Sequence, residues 1–150
     1  MKKPTWWVAP ALRVLAREID AEAPTRSKAS DGTIGDAAHA KTTSDHNPCA
    51  CCRLVLAMDF THDPGGGLDA GALATWLAER AIAGDPRIRY LIWKRKIASG
   101  PAQGHAVGVW RPYKGADPHT THLHVSVRHV EARSTASWGW PPRPEIEPSP

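Results

Sequence analysis

Apolar and polar positions alternate strictly over Thr121-His122-Leu123-His124-Val125-Ser126-Val127, the period-two signature of a half-buried strand. Leu123, Val125 and Val127 share the face that seeks a core, and His122, His124 and Ser126 share the other. A second run, Leu54-Val55-Leu56-Ala57-Met58-Asp59-Phe60-Thr61, is β-prone throughout. As one strand it sends Leu56, Met58 and Phe60 one way and Val55, Ala57, Asp59 and Thr61 the other. Helical spacing of Leu12, Leu15, Ala16 and Ile19 predicts a helix from Pro10 to about Glu22, with the proline in the first turn. After Gly65-Gly66-Gly67, Asp69 is placed to cap a second helix from about Ala70 to Ala83, stopped by Gly84 and Pro86. Arg89 to Trp93 reads as a strand and Lys96-Ile97-Ala98 as its hairpin partner.

These elements predict an α+β fold: a small antiparallel sheet with helices packed on one face and a cleft on the other. Residues 24–48 are polar and turn-rich. Beyond Val130 the apolar period is lost and the chain ends in a proline-rich stretch. The expected division is a domain over 1–133 and a tail over 134–150 that the fold can dispense with, unless Trp138 and Trp140 dock onto the domain.

Composition narrows the class. At 150 residues the chain can bury one core. Fourteen prolines and twelve glycines fit a loop-rich fold. A net charge of +4 and a pI of about 9.2 suit anionic surroundings, either nucleic acid or an acidic cell wall. Lys94-Arg95-Lys96 is a short cluster best read as a solvated surface. No apolar run is long enough for a membrane span, and Arg13 and Arg17 interrupt the N-terminal region where a secretory signal would lie. Three crowded cysteines, Cys49, Cys51 and Cys52, argue against an ordinary disulfide framework. They are read as a loop of reduced or opportunistically oxidised thiols, because C-x-C-C lacks a second pair at zinc-finger spacing. His105 and His129 stand in no pattern, and His39 is a loop histidine without partner spacing.

The chemistry gathers around Asp59. A carboxylate on a mostly buried strand is costly unless it is paired or holds a metal. Upstream in Ser44-Asp45-His46-Asn47-Pro48, Pro48 pushes the preceding residue out of helical geometry, which places His46 on an extended or turn segment. His46, Asp59 and a histidine of the H-x-H supply two nitrogens and one oxygen. Three protein ligands with an open fourth position are the pattern of a catalytic zinc site.

Ser44-x-His46, then Ala57-x-Asp59, then His122-x-His124 resembles the LAS metallopeptidases (lysostaphin, D-Ala-D-Ala carboxypeptidases and the hedgehog fold). It is closest to the carboxypeptidase and phage endolysin branch. Ser44-Asp45-His46-Asn47-Pro48, Trp110-Arg111-Pro112-Tyr113 and Pro118-His119 resemble small actinobacterial and phage endolysin-like proteins. The resemblance spans roughly residues 26–127. It implies one Zn2+ on His46, Asp59 and His124, His122 as the catalytic base, and a substrate in the peptidoglycan stem peptide. Ser44, His119 and Tyr113 would line the substrate, and Arg26 would stand where relatives grip a substrate carboxylate. The chain departs from the pattern in the long interval from His46 to Asp59, filled partly by the cysteines, and in Thr121, where many relatives carry an acid. A monomer is expected, made in the cytoplasm and reaching the wall by holin- or lysis-dependent release. Two rivals remain. One is a wall-binding module that keeps the metal without catalysis. The other is a His-Asn nuclease, against which the apolar strand after Pro48 leaves no helix for a ββα-metal unit.

Overall fold

A computed structural model describes residues 6–33 and 44–143. In chain order the elements are β1 (Trp7–Val8), α1 (Pro10–Glu22), β2 (Leu54–Val55), β3 (Ala57–Thr61), α2 (Ala70–Ile82), β4 (Ile88–Trp93), β5 (Lys96–Ser99), β6 (Arg111–Pro112) and β7 (His122–Val127). Short 3-10 turns cover Pro64–Gly66 and His129–Glu131. The five-stranded sheet has the order β3-β7-β4-β5-β6, and all its pairs are antiparallel. The architecture is α+β, as the periodicity predicts.

Both helices form where the apolar spacing puts them. In α1, Ala11, Leu12, Val14, Leu15 and Ile19 are buried. Asp69 caps α2, its Oδ1 accepting from Ala72 N at 3.0 Å, which satisfies one of the orphan donors of the first turn. The apolar strand faces of Phe60, Leu91, Leu123, Val125 and Val127 join the buried faces of both helices in one core.

The run from Leu54 to Thr61 is not one strand. β2 pairs in parallel with β1 in a separate two-stranded sheet, whereas β3 pairs with β7. Between them, Leu56 donates to Asp45 O and accepts from Val127 N. The break occurs because the partner of β2 is Trp7–Val8, too short a segment to show a period.

Packing onto the core also continues past residue 133. Trp138 is fully buried within the core. Its Nε1 donates to Ala11 O at 2.8 Å, and its backbone N donates to Glu18 Oε2 at 3.0 Å. The Arg87 guanidinium lies 3.7 Å from its ring centroid, itself held by Asp85 at 2.6 Å. Trp138, beyond the expected boundary at 133, thus docks onto the domain. One indole buries more surface than the missing period suggests. Residues 144–150, the rest of the proline-rich tail, lie outside the described residues, as does His39.

Trp138→Ala should lower unfolding free energy by about 3–5 kcal/mol, the usual loss for a buried large aromatic. Truncation after residue 133 should do at least as much. Denaturant unfolding of the two variants against the full chain checks this, and unchanged midpoints would restore the shorter domain.

Candidate metal centre

The β3–β7 register places Asp59 opposite His124 and Thr61 opposite His122. On the other side of β7, Ile92 faces His124 and Tyr90 faces Ser126. Directly paired residues point to the same face of a sheet. Asp59, His122, His124, Ser126 and Tyr90 therefore converge on the face opposite the helices.

Two loops cover this face. The first carries His46 and is pinned at several points. Ser44 Oγ accepts from His46 N at 3.2 Å, and the Asp45 carboxylate takes both contacts of Arg89 Nη1, at 2.6 and 2.8 Å. The second loop, residues 27–33, is locked by Arg26. Its guanidinium pairs with Asp31 at 2.8 Å and Asp20 at 3.1 Å. Asp31 Oδ1 in turn accepts from Thr61 N and Thr61 Oγ1. The Gly32 carbonyl accepts from Asp59 N at 2.9 Å, so this loop fixes the backbone of the central carboxylate.

Three atoms meet at the centre. His46 Nε2 lies 3.0 Å from His124 Nδ1 and 3.2 Å from Asp59 Oδ1, and the third side, Asp59 Oδ1 to His124 Nδ1, is 3.3 Å. A tetrahedral zinc with bonds of about 2.0–2.1 Å sets its ligand atoms about 3.3 Å apart. Asp59 Oδ1 is buried and has no hydrogen-bond partner of acceptable geometry. His46 Nδ1 lies 3.2 Å from Thr33 O. A carbonyl only accepts, so Nδ1 carries the proton and Nε2 of the neutral ring is bare. His124 Nε2 sits 2.7 Å from Ser126 Oγ, a hydroxyl that can accept its proton and leave Nδ1 bare as well. Lone pairs converging from three sides make a site for a cation, with both imidazoles oriented from behind. The residues present fit zinc.

The charge response of the cluster agrees. Burial works to raise the Asp59 carboxyl, but the imidazoles of His124 and His46 beside it outweigh this and hold it well below the usual carboxylate range. Burial works to lower His46, yet the Asp59 carboxylate leaves it raised. Burial and the charge of His46 push His124 down.

The second oxygen of Asp59 faces a different group. Oδ2 lies 3.6 Å from His122 Nε2, which is also 3.6 Å from Asp117 Oδ2. His122 Nε2 is buried without a hydrogen bond, while Nδ1 contacts Thr121 Oγ1 at 3.0 Å. His119, with a left-handed φ of 52°, puts its ring 4.9 Å from that of His122 and 5.2 Å from that of His124. Its Nδ1 is 2.7 Å from the Asp117 carbonyl, so Nε2 is the bare nitrogen. Asp59, His119 and His122 thus form a second convergent trio beside the first.

The structure brings His46, Asp59, His119, His122 and His124 together. Tyr113 lies at the rim, its ring 6.0 Å from that of His119. Its hydroxyl is folded against Gly115, where a Cβ would collide with it. Ser44 shapes the His46 turn through its backbone contact. Arg26 is placed otherwise than the resemblance implies. Its side chain is 1% exposed and both its carboxylate partners belong to this chain, so it works as an internal clamp. His62 caps α2, accepting from Ala70 N at 3.0 Å. Trp110 lines a groove of about 720 Å³ together with Trp76, Trp93 and Trp140, on the helix side of the sheet. In the cysteine loop, Cys49 and Cys51 are joined in a disulfide and Cys52 is free. Asp117, Thr33 and Arg89 escaped the sequence reading. Asp117 sits in a loop before Pro118, and its meeting with His122 depends on the hairpin contact of Lys94 N with His119 O at 2.9 Å.

Among known proteins, no family model, no curated protein and no solved structure matches this chain.

Arg26→Ala should cost about 3 kcal/mol, since it strands Asp31 near the interior without its cation. A variant that keeps full stability and loses only substrate affinity would return Arg26 to the binding role. His119 offers a pH test on metal-free protein. Burial, and then the charge of His124, pull it from 6.5 to about 4. The unfolded chain takes up a proton near 6.5 that the native state refuses until about 4. Stability should therefore fall as pH drops through that window. His119→Asn should flatten the fall, as read from unfolding midpoints across the same range.

Proposed function

We propose that the chain is a zinc-dependent peptidase that hydrolyses a peptide bond in the stem peptide of peptidoglycan. The observation that carries this reading is the trio of His46 Nε2, Asp59 Oδ1 and His124 Nδ1 at tetrahedral spacing, with a buried, unpartnered imidazole nitrogen of His122 beside it. The resemblance of the three motifs to LAS peptidases supplies the substrate class. The positive net charge suits an acidic wall, and no phosphate-gripping run of Lys and Arg accompanies the histidines. Among the described residues no helix is long and apolar enough to cross a membrane. Holin- or lysis-dependent release would bring the protein to its substrate.

In this reading His46, Asp59 and His124 hold the zinc in a cleft on the sheet face away from the helices. When bound, the ion supplies Lewis-acid polarisation and a water acidic enough to react near neutral pH. His122 Nε2 takes the proton of the attacking water and returns it to the leaving amine. Thr121 Oγ1 holds the opposite nitrogen, and Asp117 stabilises the imidazolium that forms. This gives His122 an acidic neighbour although Thr121 stands at the position of the usual acid. His119 stays neutral through the physiological range and presents a bare Nε2 to accept from a substrate amide.

Zinc-loaded protein should release new amino groups from actinobacterial peptidoglycan, and a chelator should abolish the release. With the Cys49–Cys51 disulfide intact, Asp59→Ala should lose zinc in elemental analysis. His122→Ala should keep zinc and lose on the order of 10²-fold or more in rate, the usual share of a general base. Zinc retained by oxidised Asp59→Ala refutes the ligand set. Wall binding that weakens with salt but brings no cleavage makes the protein a binding module, and degradation of DNA in place of wall makes it a nuclease.

A further inference from the structure

The disulfide, the free thiol and one histidine of no apparent pattern lie together. Cys49, Cys51, Cys52 and His129 each offer a donor atom within 4.8 Å of all the others. The cysteine turn is wound so that its thiols gather. Cys49 N donates to Leu54 O at 2.9 Å, and Cys49 O accepts from Arg53 N at 2.7 Å and from Cys52 N at 3.4 Å. Arg53 completes the curl at a φ of 59°. His129 arrives from 78 residues away, in the turn after β7, with Nε2 at 3.5 Å from Cys51 Sγ.

We propose that in the reduced protein Cys49, Cys51, Cys52 and His129 form a second, structural zinc site, separate from the His46–Asp59–His124 centre. Three thiolates and one imidazole are a closed ligand set of the structural kind, with no position left for substrate. Zinc bonds of about 2.3 Å to sulfur and about 2.0–2.1 Å to nitrogen hold S and N about 3.6 Å apart, close to the spacing observed for Cys51 and His129. The fourth ligand that C-x-C-C lacks in the sequence is supplied by the fold. Cys51 and His129 are exposed and Cys49 and Cys52 half-buried, so metal and reductant can both reach the cluster.

The chemistry balances with an external dithiol as reductant. Two electrons and two protons open the Cys49–Cys51 bond and the dithiol leaves as its own disulfide. The three thiols then release three protons as they ligate zinc. A reducing compartment favours the zinc form and an oxidising one the disulfide. In the zinc form the turn that follows the His46 loop is stapled to the end of the strand that carries His122 and His124. None of these four residues serves the proposed peptidase chemistry, so the inference stands or falls apart from it.

The full chain, reduced with a dithiol, freed of excess reagent under inert gas and loaded with cobalt(II), tests the proposal. A thiolate-to-cobalt charge-transfer band is expected, saturating at one metal per chain. It should weaken in Cys52→Ser, and His129→Ala should bind that metal at least tenfold less tightly. The band should persist in Asp59→Asn, whose own site contains no sulfur, which separates this site from the other centre and from the trio of Asp59, His119 and His122. Reduced wild type should also hold one more zinc than the oxidised protein. A reduced wild type without the band overturns the proposal, as does a band unchanged in both Cys52→Ser and His129→Ala.

Discussion

The carboxylate of Asp59 is a buried anion whose inner oxygen faces two imidazole nitrogens at 3.2 and 3.3 Å without a hydrogen bond of its own. Leaving such an atom unpaired costs more than most single contacts return, so the surroundings must be built to receive positive charge. Much of the fold can be traced from that requirement. The β3–β7 register sets His124 directly across from Asp59. The loop locked by Arg26 holds the Asp59 amide through Gly32, and the Asp45–Arg89 pair ties the His46 turn down onto β4. Each device fixes one corner of the trio.

What was legible in the sequence was whatever is encoded locally. The period of β7, the apolar stripe of α1 and the Asp69 cap of α2 each lie within a dozen neighbouring positions, and the structure shows them nearly where the pattern places them. What was not legible depends on partners remote in the chain. The break at Leu56 follows from pairing with Trp7–Val8 and from bonds to Asp45 and Val127. Trp138 is anchored by Ala11 and Glu18, more than a hundred residues before it. The resemblance alone gives Arg26 a carboxylate-gripping role, and its pairing with Asp20 and Asp31 is visible only in the fold. His129 had no meaning until the fold carried it to the cysteine turn. The site divides the same way: the ligand residue types stood in recognisable order, whereas Asp117, Thr33 and Arg89 serve the site only through tertiary contact.

The two histidines of the H-x-H stand in different surroundings. Successive same-face residues of a strand are about 6.6 Å apart along it, so each ring meets its own set of neighbours. His124 is flanked on both sides, by Asp59 on β3 and Ile92 on β4, and stacks parallel to Tyr90 at 5.3 Å. It is the rigid member, suited to hold an ion in place. His122 is opposite Thr61 at the start of β7, where β4 no longer pairs with it, and among the described residues its one direct polar contact of bonding length is to Thr121 at 3.0 Å. Asp59 joins the two settings, because one oxygen faces His46 and His124 while the other faces His122 at 3.6 Å. Asp117, on a more exposed loop, sets a second carboxylate at 3.6 Å from the same nitrogen, so His122 stands between two acidic oxygens while the inner oxygen of Asp59 stands between two imidazoles.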